Sequence, residues 1–317
     1  MNRWLTIGWM IVAGLLTGCT EVKKIYELPE RDEIIDHIRE YVNNCDALKP
    51  TGFNDGLAWP VDFNSSTLGK RIAADDTLNH DLSIIRFGRL VSSLSQPVIQ
   101  IDLGWDSARV AIRYQIAGTF KLIWGQYLPD GSTFEAIDST SRNFQHTTYQ
   151  RALFLRDGNT NNVARDWQLT HISPMLIGDT LSEVRIRSVK VTSAGQPRTV
   201  FLTENDLDST CLVVSQLPQL VYQGTVALEV VTRNDSDFIY QPGELVMARF
   251  GREVFVDMRR SALTDPNNDG KHTGSLVVNS RGQQVYYLFI DVIHYRTLFC
   301  PDEEYHAQQW MIPVRVP

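Results

Sequence analysis

Two histidines, His146 and His171, are candidates for acid–base chemistry in this sequence. An imidazole ordinarily titrates close to neutral pH, so it can accept or release a proton during a reaction. Both histidines lie in segments with the alternating pattern of β-strands, and both could point into a pocket near Tyr149. A histidine that is hydrogen-bonded or exposed on a sheet is the commoner arrangement, so both interpretations stay open.

The strand that would position such a site is the long alternating segment 108–124. Apolar residues occupy every second position, which predicts a strand with one buried face. They are Ala108, Val110, Ile112, Tyr114 and Ile116, followed after Gly118 by Phe120, Leu122 and Trp124. A strand of about 17 residues is far longer than the usual five or six, so it must bend to stay on one core. Gly118 is where a bend costs least, and the sequence therefore predicts a strongly curved sheet.

A helix is predicted directly after Pro29, with its apolar residues on one face at the 3.6-residue period. These residues are Ile34, Ile35, Ile38, Tyr41 and Val42. Residues 46–80 contain several glycines and prolines and predict loops with short turns. Trp59 and Phe63 in this region are expected to plug one end of the core.

Further alternating segments supply the rest of the curved sheet. Strands are predicted at 98–103, 144–156 and 167–173, while 81–94 fits a helix that runs into a strand. One helix followed by curved antiparallel strands predicts the α+β class for the first domain, residues 29–178.

This order of elements resembles the nuclear-transport-factor-2-like fold, also called cystatin-like, in which a cone-like curved sheet wraps around a helix. The resemblance implies a pocket inside the cone. Ketosteroid isomerases and dehydratases share this fold, and the isomerase type needs a carboxylate facing a tyrosine or a second acid. The alternation of inward and outward positions along the strands makes Asp102 and Tyr114 the candidate pair. Many domains of this fold carry out no chemistry, so the resemblance supplies no single function.

From residue 179 to 317 the helical period disappears and short strand-like segments alternate with turns. About nine such segments suggest a second domain that is an all-β sandwich. The segments 225–231 and 284–293 are expected to pair at its centre. The change of pattern predicts a domain boundary between residues 178 and 179, with each half able to fold alone. The alternative is a meander that continues the first sheet.

An acidic, glycine-containing loop at 264–274 joins two of these segments and resembles a loop of bacterial immunoglobulin-like lipoprotein domains. Asp265, Asn267 and Asp269 also have the spacing of the first calcium ligands of an EF-hand. The twelfth position of that motif is Leu276, where a bidentate glutamate is needed. The sequence therefore favours a hairpin turn in an immunoglobulin-like sandwich, with no metal site.

The N-terminus has the organisation of a secretory signal, with Arg3 followed by an apolar run too short to span a membrane. Residues 16–19, Leu-Thr-Gly-Cys, resemble the bacterial lipobox. The resemblance implies that residues 1–18 are removed and that Cys19 is lipidated and becomes the N-terminus, with residues 19–28 as a tether. An ordinary signal peptide that ends near an unrelated cysteine is the alternative.

Thr20 stands where lipoproteins retained in the inner membrane of Gram-negative cells typically carry aspartate, so outer-membrane sorting is expected. The formal net charge is −7 without long charged runs. This distribution does not favour binding of nucleic acid or anionic lipid. Three cysteines remain, Cys45, Cys211 and Cys300, and their spacing favours small buried residues over one disulfide and one free thiol.

No motif of serine hydrolases, zinc proteases or phosphate-binding loops occurs in the sequence. No catalytic residue, metal or cofactor is therefore assigned. The expected function is that of an envelope lipoprotein with a non-catalytic binding or structural role, held to the membrane by lipid and partnered by an envelope protein or a glycan. An enzyme that uses the first-domain pocket and a carbohydrate-binding adhesin are the alternatives.

Overall fold

A computed structural model describes most of the chain from Arg31 to Pro317. The described residues are 31–50, 52–53, 59–62, 84–127, 134–158, 160, 162–179, 182–193, 199–209, 212–236, 243–251, 260–299 and 304–317. The predicted signal peptide, the Cys19 site and the tether lie outside these ranges, as do Phe63, Cys211 and Cys300.

Strands make up most of the described residues. They are β1 (Trp59–Asp62), β2 (Ile84–Leu94), β3 (Val98–Leu103), β4 (Ser107–Arg113), β5 (Gln115–Tyr127), β6 (Phe134–Arg156), β7 (Trp167–Ile172), β8 (Met175–Gly178), β9 (Val184–Ser193), β10 (Val200–Thr203), β11 (Leu212–Val213), β12 (Thr225–Asn234), β13 (Glu244–Gly251), β14 (Ser261–Leu263), β15 (Lys271–Val277), β16 (Gly282–His294) and β17 (Ala307–Val316). The α-helices are α1 (Arg31–Asn44), α2 (Val163–Asp166) and α3 (Tyr295–Phe299). Short 3₁₀ helices are η1 (Asp46–Leu48), η2 (Glu204–Asp208) and η3 (Val214–Gln216).

The predicted fold class, an α+β cone followed by a separate immunoglobulin-like sandwich, is wrong. Among the described helices, α1 has 14 residues, whereas α2 and α3 have four and five. The chain instead forms one large curled sheet of thirteen strands and a second sheet of four. The long strands that were expected to wrap a helix belong to the same curled sheet as several C-terminal strands. Because the sheet curls, those C-terminal strands pack against much of their apolar face.

The large sheet runs in the order β1-β2-β5-β6-β8-β17-β16-β13-β14. An arm branches from β6, where β4 and β7 pair with its C-terminal part, and β3 and β11 extend the arm on either side. The sheet curls until its two ends meet. Arg260, just before β14, donates a hydrogen bond to the carbonyl oxygen of Phe87 in β2 at 3.1 Å.

The small sheet has the order β10-β9-β12-β15 and covers one face of β13, β16 and β17. These three strands are therefore buried on both faces over most of their length. The segments expected to pair with each other, in β12 and β16, belong to different sheets. Side chains from both segments, such as Val230 and Leu288, belong to one apolar core instead.

The long alternating segment forms β4 and β5, and the break between them lies at Tyr114 rather than at Gly118. The Tyr114 N–H donates to the Thr148 hydroxyl at 3.0 Å, and the Thr148 N–H donates to the Tyr114 carbonyl at 2.9 Å. The predicted alternation is confirmed from residue 108 to 122, because every even-numbered position is buried. The side chain of Trp124 lies outside the description.

Gly118 is nevertheless a point of close approach. Its partner strand β2 has a bulge between Val91 and Ser93. A Cβ at Gly118 would fall on the carbonyl oxygen of Leu90 and 2.7 Å from the ring of Phe144. The sequence thus located the irregularity in the right part of the strand, but the bulge is on the neighbouring strand.

The two halves of this long strand bury the same face in two different cores. The first core joins one face of α1, β4, the small sheet and one face of β13, β16 and β17, with Ile38, Ile112 and Ile290 as representative members. The second core lies inside the curl, between β2, β5 and β6 on one side and the other face of β13, β16 and β17. Phe120 and Phe289 lie on its two sides.

The predicted boundary at residues 178 and 179 falls at the end of β8. This strand pairs with β6 through residues 147–149 and with β17 through residues 308–311, so the sheet is continuous across the boundary. The predicted α1 face is confirmed, with Ile34, Ile38 and Val42 buried. The helix expected at the start of 81–94 is wrong for the described part, because residues 84–94 are strand throughout.

Candidate functional site

The residues with predicted chemistry are not brought together. Asp102 is exposed on the outer face of β3, opposite Arg109. Tyr114 lies on the inner face and is 4% exposed in the first core. Its burial, with a smaller contribution from Cys45, raises the pKa of Tyr114 to about 12. The tyrosine–carboxylate pair implied by the resemblance is therefore not formed.

The two histidines lie on opposite faces of the sheet. His171 is half-buried on β7, opposite Leu153, with its Nδ1 atom 2.9 Å from the hydroxyl of Thr170. His146 is 2% exposed and lies in the second core. Tyr149, near which both were expected, is on the outer face with the Arg113 and Arg151 guanidinium groups 5.5 and 5.3 Å from its ring. The four predicted positions thus share no pocket.

The second core contains a buried ion pair that was not among the predicted site residues. Arg89 of β2 and Asp291 of β16 are 1% and 2% exposed. Two nitrogens of the Arg89 guanidinium donate to the two carboxylate oxygens of Asp291, at 2.8 and 3.1 Å. A bidentate pair of this kind is both strong and strict in geometry. It links the two sides of the curled sheet directly.

Two neighbouring side chains form further hydrogen bonds with the Arg89–Asp291 pair. The Arg89 Nε–H donates to the hydroxyl of Tyr305 at 2.6 Å, and the Gln309 amide donates to Asp291 at 3.0 Å. Burial alone would raise the pKa of Asp291, but the charges of Arg89 and Arg249 hold it below its ordinary value. The carboxylate therefore stays ionised at neutral pH.

His146 lies beside this pair in an aromatic setting. Its ring is 5.6 Å from Phe53, 5.3 Å from Phe144 and 5.3 Å from Tyr305, measured between centroids. Burial, followed by the nearby charge of Arg89, lowers the pKa of His146 to about 4. The imidazole is therefore neutral at pH 7, and its Nδ1 atom has no hydrogen-bond partner among the described residues.

The segment after η1 plugs the interior of the curl. Phe53 lies with its ring 4.9 Å from the Arg89 guanidinium carbon, and the Gly52 carbonyl accepts from Arg249 at 2.5 Å. Gly52 has a φ of +78°, and a Cβ there would lie 2.7 Å from the ring of Phe289. Glycine is thus required on both counts. Phe53 thus plugs the core in the way predicted for Trp59 and Phe63, whose side chains lie outside the described part of the chain.

The geometry of this cluster suits a structural role better than proton transfer. A general acid or base works best when its pKa lies near the working pH and when it reaches the substrate. The pKa of His146 and that of Asp291 are both shifted downward, away from neutrality. Both side chains are at most 2% exposed. What the cluster does provide is a fixed connection between β2 and β16.

A second buried polar cluster connects the two sheets. Glu244, at the start of β13, is 2% exposed. Its carboxylate accepts hydrogen bonds from Thr232 at 2.7 Å and from Asn234 at 2.7 Å, and the Nε2 atom of His272 lies 3.3 Å away. Thr232 and Asn234 are on β12, and His272 is on β15, so this carboxylate links the small sheet to the large one.

His294 and Ser236 lie close together, as in a serine hydrolase, but their proton positions are reversed. The backbone N–H of Arg296 donates to His294 Nδ1 at 3.1 Å, so the proton of a neutral imidazole is on Nε2. This Nε2 atom lies 2.7 Å from Ser236 Oγ, which itself donates to Asn234 at 2.6 Å. A serine nucleophile needs a histidine that accepts its proton, and here the histidine donates.

The acidic loop at 264–274 forms a hairpin. Thr264 and Thr273 exchange backbone hydrogen bonds of 2.9 and 2.8 Å. The Asp265 carboxylate accepts from three backbone N–H groups of the turn, at 2.8 to 3.3 Å. Within the described part of the chain, no group of three His, Cys, Asp or Glu residues is arranged to hold a metal ion.

Cys45 forms no disulfide and is half-buried against the first core. Burial raises the pKa of its thiol, so the reactive thiolate is disfavoured. Among the side chains that the structure describes, the most exposed aromatic ones are Trp105 at 77% and Phe201 at 59%. They belong to different elements, the β3–β4 turn and β10, rather than to one flat sugar-binding platform.

A sequence signal for the buried ion pair did exist. Asp291 interrupts an apolar run in β16, and Arg89 takes an inward position between Phe87 and Val91 on β2. A charge inside an apolar run or on the buried face of a strand requires a partner, because an unpaired charge is too costly to bury. The sequence could have indicated that each needs a partner, but not that the two pair with each other.

Comparison with models of known protein families gave no match, and comparison with curated proteins gave none either. In the described part of the chain, no helix combines the length and the apolar character needed to cross a membrane.

Proposed function

We propose that this protein is a lipoprotein of the cell envelope, anchored to the membrane through lipid on Cys19, with a non-catalytic binding or structural role. The lipobox-like residues 16–19 support the anchor, and Thr20 supports the outer membrane as its location. An envelope protein or a glycan is the proposed class of partner. Neither nucleic acid nor a cofactor has a place in this proposal.

The observation that carries the non-catalytic role is the Arg89–Asp291 pair. The interior of the curl, where a substrate pocket would be needed, is filled by this pair and by Phe53, Tyr305 and His146. Every one of these side chains is less than a tenth exposed. A body connected in this way is a rigid support for surface contacts, as binding proteins require.

The enzyme alternative makes an opposite claim about these same side chains. If the chemistry used the interior, Asp291 and His146 would be needed for activity, beyond their contribution to folding. If the role is binding or structural, any replacement that preserves the fold should preserve the role. The two hypotheses therefore differ for a variant that is folded but lacks the polar groups.

A complementation experiment tests this difference. Cells that lack the gene would be supplied with the parent, with Cys19→Ala, or with the double variant Arg89→Met and Asp291→Leu, and envelope integrity would be scored by detergent sensitivity. We expect the double variant to complement when its amount and melting temperature match the parent. Cys19→Ala should leave the membrane fraction and lose its lipid mass.

The matched control is His146→Phe, which keeps an aromatic ring among Phe53, Phe144 and Tyr305. Loss of complementation by this variant, with normal amount, melting and membrane association, would favour the enzyme hypothesis. Membrane association of Cys19→Ala with an unchanged mature mass would contradict the lipid anchor.

A further inference from the structure

We propose that Trp105 is a second membrane contact, whose indole enters the headgroup region of the bilayer that holds the Cys19 lipid. This inference rests on the proposed lipid anchor. It concerns a surface that the anchor alone does not define, namely the face of the protein that lies against the membrane.

Trp105 is unusual in its exposure. Its side chain is 77% exposed, whereas Trp167 and Trp310 are 2% and 0% exposed and belong to the first core. An indole combines a large apolar ring with one N–H donor, which is why tryptophan is enriched where hydrocarbon meets water in membranes. An exposed tryptophan therefore suits a bilayer interface.

The turn that carries Trp105 is held firmly. The N–H of Gly104 donates to the Ser107 carbonyl at 2.8 Å, which closes the turn between β3 and β4. The N–H of Arg156 donates to the Asp106 carbonyl, also at 2.8 Å, which fixes the turn to the end of β6. A ring presented by a fixed turn loses less conformational entropy on insertion than one on a free loop.

The same end of the arm receives the chain from the membrane anchor. Directly after Arg156, the N–H of Asp157 donates to the carbonyl of Asp166 at the end of α2 at 2.6 Å. Residues 162–164, at the start of α2, line a groove together with Glu33 and Asp36 in the first turns of α1. A short series of contacts thus connects the Trp105 turn with the beginning of α1.

The length of chain between Cys19 and Arg31 limits how far the start of α1 can lie from the bilayer. Twelve peptide links separate Cys19 from Arg31, and a fully extended chain of that length spans about 40 Å. The bilayer surface therefore lies within this reach of Arg31, at the start of α1.

The charges around the turn identify the type of contact. Asp106 and Asp157 are acidic, and Arg109 and Arg156 are basic, so the local charge is mixed. Such a surface has no strong preference for anionic lipid, and the apolar ring supplies the attraction. We therefore expect the contact to form on zwitterionic phosphatidylcholine and to be insensitive to salt.

Tryptophan fluorescence of the lipidated protein in phosphatidylcholine vesicles tests the proposal. The difference between the parent and Trp105→Phe isolates the emission of Trp105, because the other tryptophans cancel. We expect this emission to shift to shorter wavelength in vesicles, relative to the unlipidated Cys19→Ser protein in solution. Lipids brominated near the headgroup should quench it.

A matched control moves the exposed tryptophan to the small sheet, by Trp105→Phe together with Phe201→Trp. Position 201 is 59% exposed but lies on β10 of the small sheet, which is not part of the arm, so its emission should be neither shifted nor quenched in vesicles. Equal quenching at both positions would mean non-specific adsorption and would overturn the proposal. So would an unshifted Trp105 emission, or one shielded only when an envelope protein or glycan is added.

A second sample separates this inference from the proposed anchor. Residues 20–317 behind a hexahistidine segment, bound to nickel-chelating lipid in the same vesicles, hold the N-terminus at a bilayer without any lipid on Cys19. Quenching here, together with an unmodified Cys19 in cells, would mean that the anchor is wrong and the Trp105 contact is right. Lipid on Cys19 without quenching in either sample would mean that the anchor is right and the Trp105 contact is wrong.

Discussion

The two halves of one long strand, β4 and β5, bury the same face in different surroundings. β4 contributes Ala108, Val110 and Ile112 to a core of apolar side chains beneath α1. β5 faces a core that also holds the Arg89–Asp291 pair. The alternation of residues is the same on both sides of Tyr114, so it predicts which face is buried but not what lies opposite.

The largest effect should come from dividing the chain between residues 180 and 181, which separates the strands on the two sides of the second core. Expressed alone, residues 20–180 and 181–317 would each lose the β8–β17 pairing and one side of the second core. We therefore expect neither half to melt cooperatively, in contrast to the whole chain. Two independently folded halves, detected by calorimetry, would mean that the second core is dispensable and would support the sequence-based domain boundary.

Within the second core, removing one charge should cost most. Asp291→Ala leaves the Arg89 guanidinium buried without its counterion, and we expect a loss of about 3 to 5 kcal/mol in the free energy of unfolding. The double variant Arg89→Met with Asp291→Leu should remain within about 2 kcal/mol of the parent, because apolar replacements of a buried pair are often neutral. Equal losses in denaturant titrations of the two variants would contradict this account.

Gly118→Val tests the strand itself. The added side chain would meet the Leu90 carbonyl and the Phe144 ring, and we expect a loss of about 2 to 4 kcal/mol from overpacking and backbone displacement. Thr119→Val, on the opposite and partly exposed face, is the matched control and should cost about 1 kcal/mol or less. A Gly118→Val protein with the same melting temperature as the parent would contradict the close approach of β2 to Gly118 in β5.

The pH dependence of stability should differ between the parent and His146→Phe. The pKa of His146 is lowered to about 4 in the folded protein, below its value of about 6.5 in an unfolded chain. The unfolded state therefore binds the proton first, and stability present above pH 6.5 is lost as the pH falls toward 4. We expect the loss to reach about 3 kcal/mol in the parent, and His146→Phe to lack this component. Parallel stability curves for the two proteins would show that the imidazole is not desolvated.

The smallest effect comes from a pair of volume-conserving replacements. Gln309→Met removes a hydrogen bond to the Asp291 carboxylate, and we expect a cost of about 2 kcal/mol. Ile112→Leu in the first core breaks no hydrogen bond and should cost about 1 kcal/mol. If urea titrations showed that Ile112→Leu loses more free energy of unfolding than Gln309→Met, side-chain packing would matter more to stability than the hydrogen bond to Asp291.

These differences explain how much the sequence could predict. The face of α1 and the alternation from Ala108 to Leu122 are local properties, and the structure confirms both. The cone was wrong because the same alternation is compatible with a helix or with another sheet as the covering layer. Asp291 gave a signal, but its partner Arg89 is 202 residues away. No local pattern identifies such a partner.

The predicted pairing of the candidate site residues does not occur, for a related reason. Asp102 and Tyr114 were matched by parity, yet the opposing strand residues show that Asp102 faces outward and Tyr114 inward. Parity within one strand fixes a face only after the register with its neighbour is known. An inward position of His146 was one of two interpretations that the sequence left open. The structure shows that aromatic rings surround it and that burial, followed by the charge of Arg89, lowers its pKa.

The separation between Arg89 and Asp291 also has a consequence for how the chain folds. The second core needs Phe53 from near the N-terminus, Arg89, and then Asp291 and Gln309 from near the C-terminus, so its contacts have a high contact order. Proteins dominated by such distant contacts fold slowly, because a long loop must close before its contacts contribute. During synthesis, β2, β5 and β6 would emerge before β16 and β17 exist to cover them. We therefore expect the nascent chain to depend on a chaperone until its last thirty or so residues are available.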